Sequence, residues 1–333
     1  MINTAKRNDV LLHSNNAHFK AAVDKGLSAR RKFLPSRYLY DEIGDQLFQE
    51  IMNLPEYYPT RCETDIFNRN KDKIFKWMQP VESRFRIIEL GAGDAKKTCI
   101  LLDHFLSNGA QFVYQPIDIS EHAISCLGED LKDAFPDLCV ESIVMEYFEA
   151  LGTINKNSKE KKLILFLGSS IGNFNRSECV GFLSKLAKEM NECDHLMVGF
   201  DLKKDPLVIT QAYNDSQGVT REFNFNLLTR INRELGADFD PEKFEHCPTY
   251  EPQSGEMKSY LVSKEKQKVN IPAINKTFEF EAWETIFTEV SNKYSIEEIK
   301  QIAAEAGLAV KEILLDKNAY YSDVVLVKEN CDE

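Results

Sequence analysis

The 333 residues carry a formal net charge of −12, with 43% hydrophobic and 28% charged side chains, a composition ordinary for a globular chain of one large domain or two smaller ones. The acidic balance argues against a general affinity for nucleic acid, because phosphate binding needs a basic face, and the short lysine clusters at Lys156 to Lys162 and Lys264 to Lys268 read as solvated loops. No run reaches the roughly 18 apolar residues of a membrane span, no signal-peptide core stands near the amino terminus, and the eight cysteines show no CxxC spacing, so a cytoplasmic protein with reduced thiols and no zinc site is expected.

In chain order, HFKAAVDKGLSA suggests one early helix. After Asp41, Leu47, Ile51 and Met52 recur at helical spacing, and Pro55 and Pro59 bracket Glu56, Tyr57 and Tyr58 as a rigid loop suited to a lid. The plainer alternative makes Tyr40, Tyr57 and Tyr58 amphipathic packing residues. From Phe85 the pattern alternates, with strands near 85–90, 112–118, 139–145, 163–168 and 195–201 and helices near 95–108, 120–134 and 176–191. This predicts an α/β fold with a parallel sheet, helices on both faces and ligands at the carboxyl ends of the strands. Attention therefore falls on Gly91 to Asp94, Asp118, Glu146 with Tyr147, Gly168 to Asn173, and Asp201.

The sharpest local signal is RIIELGAGDAKKT, Arg86 to Thr98. A buried strand breaks into Gly91-Ala92-Gly93-Asp94, where glycines admit unusual backbone angles and a cofactor can lie against the main chain at a helix start near Ala95. Lys96 occupies the place of the third glycine of the dinucleotide fingerprint, so a cofactor without pyrophosphate fits better. Glu89, Asp94 and Asp118 are expected around one crevice that suits a cation, with Asp118 accepting from ribose hydroxyls. S-adenosylmethionine, with a ribose and a sulfonium, satisfies both features; a glycine turn without a ligand is the alternative.

The segment LILFLGSSIGNFN follows the same logic: a strand stops at Gly168, and Ser169, Ser170, Gly172 and Asn173 form a polar loop before a helix capped near Asn175. Its carbonyls and the Asn173 amide suit a small zwitterion, although a helix entry without a ligand explains it equally well. Residues 205–286 then break the alternation with helical stretches, a proline-containing loop around Pro241 to Pro252, and the alternating segments MKSYLVSK and KTFEFEAWE, as expected of an inserted substrate domain. The chain returns with a helix and two strands that complete the sheet, with an antiparallel edge.

Through YDEIGDQLFQEIMNLPEYYPTR, ELGAGDAKKT, FLGSSIGNF, AYNDSQGVTREFNFNLLTRINRELGADFD and TEVSNKY, the chain resembles the histidine Nα-methyltransferases of ergothioneine biosynthesis nearly end to end. The resemblance implies a class I, Rossmann-like S-adenosylmethionine-dependent methyltransferase domain of residues 61–202 and 287–333, and a substrate-binding domain of residues 1–60 and 203–286. The implied reaction converts L-histidine to Nα,Nα,Nα-trimethylhistidine, hercynine. The same resemblance puts Gly91, Lys97, Asp118 and the pair Glu146-Tyr147 on the cofactor, where the family usually has aspartate and phenylalanine at that pair. Asn173 and Tyr213 would hold the substrate carboxylate, Gly168 and Tyr57 would lie near the amine, and Tyr40, Glu289 and Ser291 would address the imidazole. Tyr40, Tyr57 and Gly168 are then the residues nearest the chemistry. Ser259, bordering the side-chain pocket, stands where the family pattern has methionine.

Imidazole offers one donor and one acceptor when neutral and two donors when charged, so a carboxylate with a hydroxyl suits it, whereas indole has no acceptor. Without the resemblance, Glu289 would read as a surface strand carboxylate. The amine attacks only as its free base; a neighbouring sulfonium and partial desolvation both disfavour the ammonium, alignment supplies most of the catalysis, and a ring face of Tyr40 or Tyr57 can stabilise the methylated cation. Rival readings are an Nα-methyltransferase for tryptophan or a derivative, a non-catalytic module that binds the cofactor or an amino acid, and a nicotinamide oxidoreductase, which Lys96 disfavours. A monomer with a small-molecule substrate, and without nucleic-acid or membrane partners, is expected.

Overall fold

The computed structural model describes residues 17–78 and 84–329; His13, Asn15, Asn16 and Cys331 lie outside the described residues. Its strands are β1 (Lys32–Phe33), β2 (Phe85–Leu90), β3 (Phe112–Asp118), β4 (Cys139–Val140), β5 (Ile143–Val144), β6 (Lys162–Phe166) and β7 (His195–Asp201), followed by β8 (Phe244–Glu251), β9 (Glu256–Ser263), β10 (Gln267–Ile271), β11 (Lys276–Phe280), β12 (Thr285–Asn292), β13 (Leu308–Leu315) and β14 (Tyr321–Lys328). The chain divides into two compact units, one of residues up to Tyr57 with Asp205–Ser291, the other of Tyr58–Lys204 with the chain from Asn292 onward.

The second unit is built on a sheet of order β13-β14-β7-β6-β2-β3-β4, with β5 also paired to β3. Strands β2, β3, β6 and β7 run parallel, while β14 is antiparallel to β7 and β13 to β14. KLILF and HLMVGFD are buried along their whole length, as strands covered on both faces must be. Ile88, Ile164, Phe166, Leu183, Leu196, Val198 and Ile299 share one core, and the parallel arrangement brings the ends of β2, β3, β6 and β7 to one edge.

Several local expectations change here. The strand expected over 139–145 is two short pieces, and the helix Tyr147–Asn157 was not foreseen. The helix expected from 95 begins at Thr98, because Gly91, Gly93 and Ala95 all hold positive φ. The rigid-loop reading fails at Tyr58: the helix Tyr58–Met78 starts there, with Pro59 in a first turn that needs no N–H from it. Tyr58 is buried and donates to Asp201 at 2.8 and 2.9 Å. No disulfide joins the described cysteines, and no described helix is long and apolar enough to cross a membrane.

In the first unit, residues 17–27 are helical, and Asp41 caps the helix Glu42–Asn53 by accepting from Gly44 N at 2.8 Å. A four-stranded sheet of order β1-β12-β9-β8 stands beside a β10-β11 hairpin. On β9, Met257, Ser259, Leu261 and Ser263 are the buried members of an alternating strand. Phe19, Leu34, Phe223, Leu228, Ile231, Phe244 and Ile286 form its core. The proline-containing loop expected around Pro241 to Pro252 is largely β8, with Pro248 opposite Ser259. Proline is tolerated because β8 is an edge strand whose outer side needs no donor. Phe287 to Ser291, expected with the methyltransferase part, belong to this unit through β12.

Gly199, within β7, leaves the space that two side chains fill: a Cβ there would overlap Tyr321 Oη and Glu63 Oε1. Gly199→Ala should cost about 1–3 kcal/mol, measured as a lower denaturant midpoint at unchanged slope.

Candidate active site

The glycine turn follows β2 directly and is tied to β3 by Gly91 N donating to Ile117 O at 2.8 Å. Gly91 has φ +72° and lies exposed, and a Cβ added to it would come within 2.8 Å of Tyr147 Oη. Only glycine fits that conformation and that gap. Asp118 ends β3 and accepts from Ser120 N at 2.9 Å, with burial raising its pKa. Glu146 caps the next helix through Phe148 N at 2.9 Å. The Tyr147 hydroxyl is pushed up to about 12 by burial and then by the charges of Asp118 and Glu146. Gly91, Asp118, Glu146 and Tyr147 are thus brought together at one end of the sheet. A glycine cradle that a Cβ would fill, beside an acceptor carboxyl and an aromatic ring, fits the nucleoside of S-adenosylmethionine.

Of the three carboxylates expected around the crevice, Glu89 turns inward instead. Glu89 is 3% exposed and accepts from Thr98 Oγ1 at 2.8 Å and Tyr114 Oη at 2.5 Å. Burial, working against those hydrogen bonds, raises its pKa to about 7, so it is an internal acid and not a crevice anion. Asp94 pairs with Lys96 at 3.0 Å.

Lys97 is partly buried and paired to an internal carboxylate. Its ammonium pairs with the buried Glu63, which also accepts from Gly168 N at 3.0 Å and Tyr321 Oη at 3.1 Å. Burial disfavours the Lys97 charge, but the Glu63 carboxylate outweighs it and the pKa rises. Gly168 and Ser169 follow one another with φ +71° and +59°, and Asn173 is exposed at the end of the short helical turn Ser170–Asn173. Asn292 Nδ2 donates to Gly172 O and Phe174 O, both at 2.8 Å, and Tyr294 Oη to Ile171 O at 3.2 Å. Asn175 caps the following helix in a reciprocal box with Glu178, as expected. Sequence reasoning missed Glu63, Asn292 and Tyr321; part of TEVSNKY was the available signal.

In the first unit, the Tyr40 ring meets Phe48 and Phe223 edge-on at 5.5 Å, and Phe48 reaches Tyr57 at 6.1 Å. Tyr40 keeps 38% of its surface open, yet enclosure of its hydroxyl raises its pKa well above the usual value, followed by the effects of Glu289 and Tyr213. Tyr40, Tyr213 and Glu289 thus influence one another electrostatically within this unit, and Ser291 stands two residues beyond Glu289 on β12, 6% exposed. Thr288 Oγ1 donates to Asn224 Oδ1 at 2.7 Å and Ser259 O at 3.0 Å, pinning β12 to the helix Val219–Leu235 and to β9. Phe48 and Phe223 were not anticipated. The cofactor candidates, Gly168 and Asn173 belong to one unit; Tyr40, Tyr57, Tyr213, Glu289 and Ser291 belong to the other.

A glycine turn after the first sheet strand, a carboxyl at the tip of the second, and an antiparallel β14 beside β7 make this a class I S-adenosylmethionine-dependent methyltransferase fold. The family model described as "Histidine-specific methyltransferase, SAM-dependent" matches residues 19–328, and the chain belongs to that family. It is 35% identical to the histidine N-alpha-methyltransferase of Mycolicibacterium smegmatis, covering 86% of this chain and 87% of that one. It is 30% identical to ergothioneine biosynthesis protein 1 of Schizosaccharomyces pombe, over 91% of this chain and 40% of that longer one. An L-tryptophan methyltransferase of Psilocybe serbica is 27% identical, over 91% of each chain.

Glu89 generates a pH prediction. Its folded pKa, about 7, lies above the ordinary 4.5, so the neutral acid favours folding below about pH 4.5, and that contribution is lost as pH rises through about 7. Glu89→Gln should remove a decline on the order of 3 kcal/mol across that window, checked by denaturant unfolding at successive pH values.

Proposed function

We propose that this protein methylates the α-amine of L-histidine three times to give Nα,Nα,Nα-trimethylhistidine, hercynine, as a step of ergothioneine biosynthesis. The sheet-bearing unit carries the methyl donor, and the unit containing β12 reads the amino acid. The observation that carries the reading is the placement of Glu289 and Ser291 two residues apart on β12, in the unit that also holds Tyr40 and Tyr213, with the Glu289 charge felt at Tyr40. A carboxylate and a hydroxyl satisfy an imidazole edge and leave an indole edge unmatched, and the 35% identity to a histidine N-alpha-methyltransferase supports the same choice.

S-adenosylmethionine, held by Gly91, Lys97, Asp118, Glu146 and Tyr147, supplies an electrophilic methyl group on a positively charged sulfur. Tyr213 and Asn173 hold the amino-acid carboxylate, and Glu289 accepts from the imidazole N–H while Ser291 serves the second nitrogen. Tyr57 and Gly168 address the amine. With its pKa raised well above the usual value, Tyr40 stays a phenol at neutral pH and acts as a donor and a ring face, not as a base. Rate then comes from holding the amine in line with the methyl.

Ser259 favours a second reading. Buried on β9, with its carbonyl accepting from Thr288 Oγ1 at 3.0 Å, it is smaller than the methionine of the family pattern, and the rival substrate is tryptophan or a derivative.

Purified protein incubated with S-adenosylmethionine and histidine should yield a product heavier by three methyl groups, and Glu289→Ala should lower kcat/KM for histidine by about 100-fold or more. Methylation of tryptophan with histidine left untouched would establish the second reading; methylation of neither would contradict both. Tyr57→Phe keeps the ring and should retain turnover within about tenfold if the ring face carries its role; near-total loss would assign the role to the hydroxyl.

A further inference from the structure

Glu63 lies two residues beyond the aromatic motif that ends at Arg61, and no feature of the sequence marked it. It is 0% exposed on the helix Tyr58–Met78. Its two oxygens take the Lys97 ammonium, Gly168 N at 3.0 and 3.2 Å, and Tyr321 Oη at 3.1 Å. These donors come from three places in the chain: the end of the glycine turn, the loop after β6, and β14. The fold makes room for this carboxylate at Gly199, where a side chain would collide with it.

A buried carboxylate is a poor way to stabilise a core, because well-packed apolar residues do as well or better. What it does here is join two loops at the carboxyl edge of the sheet. One carries Gly91 and Lys97, the other Gly168 and Asn173. A Cβ on Gly168 would stand 3.6 Å from Lys97 Nζ, so the two loops approach closely, with Glu63 between the ammonium and the amide. Asp323 closes the far side. It is 0% exposed, and burial first, then the Glu63 charge and a side-chain contact with Glu63, raise its pKa well above the ordinary value, against the opposing effect of the Lys97 ammonium.

We propose that Glu63 is a positioning residue for methyl transfer, fixing the Lys97 ammonium and the Gly168 N–H relative to one another so that the cofactor loop and the loop nearest the amine keep one register. This rests on the reading of Lys97 as a cofactor contact. Lys97 has three N–H donors; Glu63 takes one and sets where the others point.

The test is a double-mutant cycle on the full chain, with S-adenosylhomocysteine affinity measured by calorimetry for wild type, Glu63→Gln, Lys97→Met and the double variant. Positioning through Lys97 predicts that Glu63→Gln weakens binding about tenfold or more in the wild type but less than about twofold in the Lys97→Met background. In turnover, KM for S-adenosylmethionine should rise while KM for the amino acid stays within about twofold. Equal weakening in both backgrounds means Glu63 only supports the core, and overturns the proposal. Wild-type binding by Glu63→Gln alongside weakened binding by Lys97→Met overturns the proposal and leaves the cofactor reading standing. Wild-type binding by Lys97→Met removes that reading and the proposal with it. Glu63→Asp, which keeps the charge but shortens the reach, carries the same cycle with the same criteria if Glu63→Gln does not fold.

Discussion

One buried carboxylate closes the sheet-bearing unit. Asp201, 0% exposed at the end of β7, accepts from Tyr58 Oη at 2.8 and 2.9 Å, from Lys204 Nζ, and from Lys293 Nζ, 2.8 Å away. Tyr58 opens this unit, Lys204 precedes the exit at Asp205, and Lys293 follows the return at Asn292. All three passages of the chain into or out of the unit are therefore gathered on one side chain. Burial works to raise the Asp201 pKa, but the two ammonium groups outweigh it and hold it low. Lys204 also lies 4.2 Å over the Tyr58 ring, which offsets part of its own desolvation. Removing the carboxylate would strand two cations in the interior, a loss on the order of 3–5 kcal/mol.

The same passages shape the loop after β6. Asn292 and Tyr294, on either side of Lys293, hold the carbonyls of Ile171, Gly172 and Phe174. Glu63, five residues into the helix opened by Tyr58, takes the amide of Gly168. Ser169 sits in the left-handed region at φ +59°, a conformation that costs a non-glycine residue about 1–3 kcal/mol. Buried partners on other elements, and not the loop's own sequence, keep it there. The glycine turn at Gly91 is tied to β3 through Ile117 O, and the Tyr147 hydroxyl occupies the space a side chain at Gly91 would need. Both loops are thus tied to neighbouring elements by hydrogen bonds from outside their own sequence.

The alternating core strands were legible because strands buried on both faces must be continuously apolar, as KLILF and HLMVGFD are. Local exceptions escaped where a residue played an uncommon role. Glu146 is an unusual helix cap, so the helix after it went unseen; Pro248 is harmless on an edge strand; Pro59, expected to close a rigid loop, lies in the first turn of a helix. The buried charges were invisible for another reason, since Glu63 finds its partners 34, 105 and 258 residues away and nothing near it in sequence marks it as buried. Glycine turns and strand tips pointed to a cofactor on physical grounds, and misread Glu89, which turns inward. The residues assigned to histidine came from family resemblance: a strand carrying Glu289 and Ser291 has no local mark of imidazole recognition.

The central claim is that one chain brings a methyl donor on the glycine turn and a histidine read by β12 to the same reaction. A crystal structure with S-adenosylhomocysteine and histidine tests it most directly. The account predicts the nucleoside against Gly91 and Asp118, and the imidazole within hydrogen-bond reach of Glu289 and Ser291. A cofactor bound away from Gly91, or an imidazole that meets neither Glu289 nor Ser291, would contradict it.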